Sequence, residues 1–185
     1  MLQSPFIGLS KKVEKKITII LLISVVILIS VMRFFDTQIQ SNDNTNGIIS
    51  FELAKNISKT ETILDSWNIL SKTSAGMSMG FDFLFLIVYA LFISLLIHKL
   101  NERLWKHSKI YILGIILIWC VFLAAFFDII ENIALIKLLL GDLQQKWSSI
   151  AYYFAVSKFA LLLFGILFII INSIILLFKK IILKK

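Results

Sequence analysis

The ionisable side chains inside the apolar stretches of this sequence include Asp82, Asp128, Glu131 and Lys158. A charge in an apolar segment is costly unless it meets a partner, so such residues are candidates for binding or proton sites. Asp128, Glu131 and Asn132 are three and four residues apart, which places them on one face of a helix. Carboxylates on one face can exchange protons or ligate a hard cation through oxygen.

These charged residues are predicted to lie at a common depth. At 1.5 Å per helical residue, counted from the lysine-rich end of each apolar segment, their levels agree within roughly 8 Å. Tyr89 lies seven residues from Asp82 and is predicted on the same helix face. Three carboxylates against one ammonium leave an excess of negative charge, so a proton, water or a cationic ligand must compensate. The predicted site is Asp82, Tyr89, Asp128, Glu131, Asn132 and Lys158.

The composition places these residues in a membrane protein. Of 185 residues, 59% are hydrophobic and 16% charged, and the mean hydropathy is +0.92. A soluble domain of this size has about half apolar and a quarter charged residues. This excess excludes a cytosolic enzyme, a secreted disulfide scaffold and a disordered regulator. Cys120 is the only cysteine, which excludes an internal disulfide and a cysteine-rich metal site.

Four apolar segments, at about 17–35, 80–98, 110–140 and 148–178, predict transmembrane helices because about 20 helical residues cross a bilayer. The predicted fold class is an all-α, polytopic four-helix membrane bundle, with residues 1–185 forming a single membrane domain. The connecting segment 36–79 is long for a bare loop. Its apolar residues between Ile49 and Leu70 recur at helical spacing, which predicts an amphipathic helix that caps the bundle.

The basic residues predict the orientation. Three clusters hold twelve of the 19 Lys and Arg residues: 11–16, 99–109 and 179–185. Four crossings put all three on one side, and the positive-inside rule makes that side cytoplasmic. Both termini are then cytoplasmic and segment 36–79 is extracytoplasmic, in a cell inner or plasma membrane. The formal charge of +8 thus reflects topology and attraction to anionic lipids, and no nucleic-acid partner is expected.

Several chemistries do not fit the sequence. His98 and His107 lie in the predicted cytoplasmic loop, far from the charged layer, and are expected to be solvated. No HExxH, P-loop or GxGxxG motif is present, so no catalytic residue and no cofactor is assigned. Whether the carboxylates bind a metal ion stays open, and an enzymatic role is left uncertain but disfavoured.

The spacing Asp128-x-x-Glu131-Asn132, followed 26 residues later by Lys158, resembles a pattern in uncharacterised bacterial four-span integral membrane proteins. An acidic residue and a tyrosine in the second helix, here Asp82 and Tyr89, belong to the same resemblance. It covers about half of the chain and implies no particular activity.

Two functions remain open at this stage. The preferred one is a site opening outward that binds or passes a small cation, a proton or a lipid headgroup. The alternative is a non-catalytic interaction subunit, such as an anchor, a sensor or effector, or an immunity-type protein, whose buried charges form a structural clasp. Membrane lipids are expected partners, and a protein partner or homo-oligomer stays open.

Overall fold

A computed structural model describes residues 3–40 and 47–182, whose regular structure is helical throughout, with no strand in these ranges. Short helices separate the first long helix from the other three. The helices are α1 (Lys11–Ile39), α2 (Ile48–Glu52), α3 (Ile57–Ser66), α4 (Ile69–Trp105), α5 (Ile110–Leu139) and α6 (Gln145–Ile182). Residues 41–46 of the predicted connecting segment and 183–185 of the last basic cluster lie outside the described ranges.

Four of these helices, α1, α4, α5 and α6, are long and apolar enough to cross a membrane, which confirms the predicted fold class. Helix α1 packs on α4, and α4, α5 and α6 pack on one another. The ends of the α1–α4 pair show that these helices are antiparallel. Glu14 lies 3.5 Å from Lys99 at one end, and the rings of Phe35 and Phe81 stack 5.8 Å apart at the other. The cytoplasmic placement of the termini stays a prediction.

Three of the spanning helices, α1, α4 and α6, extend beyond their apolar segments. Helix α4 begins at Ile69 rather than near residue 80, where Asn68 Oδ1 accepts a hydrogen bond from the Ser71 backbone N–H at 2.8 Å. Its first turns are rich in serine and glycine and therefore have low hydropathy, but Ala75 and Met79 are fully buried. Hydropathy locates the part of a helix that contacts lipid and misses polar turns packed against protein.

Residues 47–67, here called the cap, fold over one end of the bundle. Phe51, Ile63, Leu64 and Trp67 are buried in a core shared with residues of α5 and α6, including Leu135, Leu138 and Ala151. This packing confirms that the segment caps the bundle. A single helix from Ile49 to Leu70 is wrong, because the chain breaks between α2 and α3, where Lys55 has a φ of 64°.

A second core fills the bundle on the far side of the charged residues from the cap. Helices approach closely here: a Cβ on Gly114 would stand 2.3 Å from Asn101 Cγ, so a larger residue would displace the Asn101 side chain. The Asn101 amide donates to the Tyr111 carbonyl at 2.9 Å and joins α4 to α5. The buried members of this core are Leu86, Tyr89, Ala90, Ile97, Ile118, Val121, Ala125 and Phe168.

Candidate functional site

Lys158 of α6 is the centre of the charged cluster. Its Nζ donates to Asp128 Oδ1 at 2.6 Å and lies 2.7 Å from Glu131 Oε2. Since Asp128 and Glu131 are three residues apart on α5, both carboxylates face α6 together. The partnership predicted from equal depth is confirmed. It also explains why an ammonium can be buried in an apolar helix.

Helix α4 completes the cluster from the other side. The Tyr89 hydroxyl donates to Asp128 Oδ2 at 2.9 Å, and Asn132 Nδ2 donates to Asp82 Oδ2 at 2.6 Å. Asp128 therefore receives donors on both carboxylate oxygens, one from α4 and one from α6. All six side chains named from the sequence lie in one connected cluster between α4, α5 and α6.

Glu52, at the end of α2 in the cap, is a member of the cluster that the sequence analysis missed. Its carboxyl group lies close enough to that of Glu131 for a hydrogen bond, and it is near Lys158, Asp82 and Asp128 as well. Two acidic side chains can share a hydrogen bond only when one of them carries a proton. Buried Phe51 precedes Glu52. No spacing rule distinguishes Glu52 from the other acids of segment 36–79.

The surroundings of Glu52 favour its protonated form. Burial is the main cause, and it raises the pKa of Glu52 from an ordinary 4.5 to about 7. The carboxylates of Asp82 and Asp128 act in the same direction. The ammonium of Lys158 lowers this pKa and offsets part of the rise.

The cluster residues on α5 and α6 are closed to solvent, whereas Asp82 and Glu52 are partly exposed. Glu131 is 0% exposed, Asp128 and Asn132 are 2% exposed, and Lys158 is 5% exposed. The cap covers this end of the bundle, and the opening of the site to the outside stays a prediction. Helix α2 of the cap contacts both α5 and α6.

Negative charge exceeds positive charge in the cluster. With Glu52 included, four carboxyl groups surround one ammonium. Neither oxygen of Glu131 has a hydrogen bond of good geometry, although Lys158 Nζ is near Oε2. Within residues 3–40 and 47–182, no three His, Cys, Asp or Glu side chains are arranged to hold a metal ion. A proton on Glu52 or Glu131 would supply the missing donor.

The prediction that His98 is a solvated loop residue is wrong. Helix α4 continues past it to Trp105, and His98 is only 7% exposed. Its Nδ1 is 2.9 Å from Ser4 Oγ, and the ring of Phe6 lies against it at 5.7 Å. The helical rise puts His98 roughly 14 Å from Tyr89, so it does not belong to the cluster. His107 is exposed, as expected.

The four spanning-length helices indicate a multi-pass membrane protein, and a buried polar cluster lies between three of them. Comparisons with known protein families, with curated proteins and with solved structures find no match to this chain. The resemblance to bacterial four-span proteins therefore stays a prediction.

Proposed function

We propose that this chain is a multi-pass protein of a cell inner or plasma membrane that binds a proton at its buried carboxyl cluster. One observation carries the proposal: the fully buried carboxyl of Glu131 meets the carboxyl of Glu52 and lacks a well-aligned donor. A single shared proton supplies that donor and removes one negative charge from the cluster.

A proton suits this site better than the other ligands considered. A metal ion needs several converging oxygen ligands, and no such group of side chains is formed in the described ranges. An anionic headgroup would be repelled by the surplus of carboxylates. A cationic headgroup would need room that the cap occupies, since the cluster residues on α5 and α6 are at most 5% exposed.

The cluster is better suited to binding a proton than to passing it across the membrane. On the side away from the cap, the charged cluster ends at Tyr89. Packed apolar side chains follow, among them Ala90, Ile97 and Ile118, with the buried hydroxyl of Ser94 between them. Passage of a proton through such a layer would require water in a region with few polar partners, because the Ser94 hydroxyl already donates to the Ile118 carbonyl. The lysine distribution predicts that the cap lies outside the cytoplasm, so the proton would come from that side.

Infrared spectroscopy of the purified full-length protein in liposomes tests this proposal. The C=O stretch of a protonated carboxyl group should disappear as the pH is raised from about 5 to about 9. This change should be lost or displaced in Glu131→Gln and in Glu52→Gln. Asp65→Asn is the matched control, since it removes one exposed carboxylate from α3 and should leave the titration unchanged.

The proposal fails if the titration is the same in the wild type and both glutamine variants. It also fails if no protonated carboxyl group is detected over this range. Both variants keep the size of the side chain. A circular dichroism spectrum with wild-type helix content shows that the comparison concerns folded protein.

The interaction subunit remains a second candidate, because Lys158 already has two carboxylate partners without any ligand. The cap end also exposes apolar side chains, with Ile49 61% exposed and Ile69 86% exposed. If a partner binds here, a photo-crosslinker at residue 69 should give one discrete adduct in membranes, and Ile49→Ser should abolish it. Titration of the carboxyl cluster should be unaffected by Ile49→Ser under either function.

A further inference from the structure

A cleft lined by basic residues opens between α1 and α4 at the end of the bundle opposite the cap. Its volume is about 550 Å³. Five cationic side chains and two carboxylates line it, which gives the lining a formal charge of +3. These residues are Lys11, Glu14, Lys15, Lys99, Glu102, Arg103 and Lys106.

Both carboxylates of this basic cleft already have partners. Glu14 lies 3.5 Å from Lys99 Nζ, and Glu102 lies 3.3 Å from Lys106 Nζ and accepts a hydrogen bond from the Tyr111 hydroxyl. The surplus positive charge therefore resides on the other three cations. In the part of the chain that the structure describes, no carboxylate pairs with Lys11, Lys15 or Arg103.

An apolar groove lies between the same two helices, further into the membrane-spanning region. It has a volume of about 360 Å³ and is lined by Ser24, Ile27, Leu28, Leu84, Ile87 and Val88. Ser24 is nine residues from Lys15 along α1, or roughly 14 Å by the helical rise. No residue in the most apolar window of α1 is buried, so this side of the bundle faces lipid.

We propose that the α1–α4 interface binds one anionic glycerophospholipid, with its phosphate in the basic cleft and an acyl chain in the apolar groove. A guanidinium and two ammonium groups at the end of spanning helices are suited to a phosphodiester at the membrane surface. Arg103 offers a planar pair of donors, and Lys11 and Lys15 add positive charge from the facing helix. A soluble phosphate would use the cleft and leave the groove empty.

Native mass spectrometry of the full-length protein, released from nanodiscs of phosphatidylcholine and phosphatidylglycerol, tests this site. The protein should retain phosphatidylglycerol in preference to phosphatidylcholine. Lys11→Gln/Lys15→Gln should reduce that preference by about fivefold for each lysine removed. Lys12→Gln/Lys16→Gln is the matched control, because it removes the same charge from the same two turns of α1 outside the cleft, and it should keep the preference.

A second variant tests the contribution of the apolar groove to lipid binding independently of the basic cleft. Ser24→Trp fills the groove without changing any charge and should also lower the retention of phosphatidylglycerol. If the Lys11/Lys15 variant and the Lys12/Lys16 variant lose the preference for phosphatidylglycerol equally, the proposal is overturned in favour of unspecific attraction to the membrane surface. Full displacement of the lipid by inorganic phosphate, or no effect of Ser24→Trp, would overturn the role of the acyl chain.

Discussion

Asp128 Oδ1 accepts a hydrogen bond from Lys158 Nζ at 2.6 Å, while its other oxygen accepts one from the Tyr89 hydroxyl at 2.9 Å. One carboxylate thus joins the three helices α4, α5 and α6. Because Lys158 is also 2.7 Å from Glu131, the ammonium neutralises part of the charge of two acids. The packing of these helices therefore depends on the polar cluster as well as on apolar contacts.

Lys158→Met is expected to lower the free energy of unfolding by about 3–5 kcal/mol, because it leaves buried carboxylates without a cation. Thermal denaturation in detergent measures the effect. Lys146→Met, which removes an exposed lysine of the same helix, should change stability little. Adding Asp128→Asn to Lys158→Met should restore part of the loss. A double variant as unstable as the sum of the single variants would contradict this coupling.

Tyr89→Phe is expected to cost about 1 kcal/mol, since it removes one donor from Asp128 while Lys158 stays in place. The measurement is again the thermal midpoint. Tyr153→Phe provides the control, because Tyr153 is 58% exposed and its hydroxyl is not part of the cluster. Equal effects of the two variants would argue against a specific Tyr89–Asp128 bond.

Attachment of the cap should weaken as the pH rises. The pKa of Glu52 is about 7 in the folded protein and 4.5 ordinarily, so the folded protein holds a proton that a detached cap releases. Stability linked to Glu52 is fully present below pH 4.5, declines as the pH rises, and is lost above pH 7. Hydrogen exchange of α2, corrected for intrinsic rates, should show clearly less protection above pH 7 than below pH 4.5.

Two variants decide whether Glu52 causes that dependence. Glu52→Gln cannot ionise and should make the protection of α2 independent of pH over the same range. Asp65→Asn should keep the wild-type dependence, because Asp65 is exposed on α3. A dependence that persists in Glu52→Gln would assign it to another group.

Gly114→Ala should destabilise the contact between α4 and α5. The added Cβ would stand 2.3 Å from Asn101 Cγ, so the two helices must separate or Asn101 must lose its bond to the Tyr111 carbonyl. We expect a loss of about 1–3 kcal/mol, measured as a fall in the thermal midpoint. Gly80→Ala is the control, since a Cβ there meets nothing within 4 Å. A neutral Gly114→Ala would contradict the close approach.

Hydropathy and charge spacing predict much of this structure. The four spanning helices follow from the length of the apolar segments, and the meeting of Lys158 with Asp128 and Glu131 follows from their equal depth. The position of Glu52 could not be predicted, because it depends on how a polar segment folds back over the bundle. The prediction that His98 is a solvated loop residue is wrong for a related reason. Hydropathy alone does not distinguish the polar end of a helix from a loop.

The cluster draws its single cation from the last helix of the chain. Asp82, Asp128 and Glu131 precede Lys158 in the chain and therefore reach the bilayer before it during synthesis. Nascent α4 and α5 must therefore keep their acidic side chains protonated, hydrated or shielded by the insertion machinery until α6 arrives. A product truncated before Lys158 would lack that ammonium, and its acid-rich helices would be a natural target for membrane quality control.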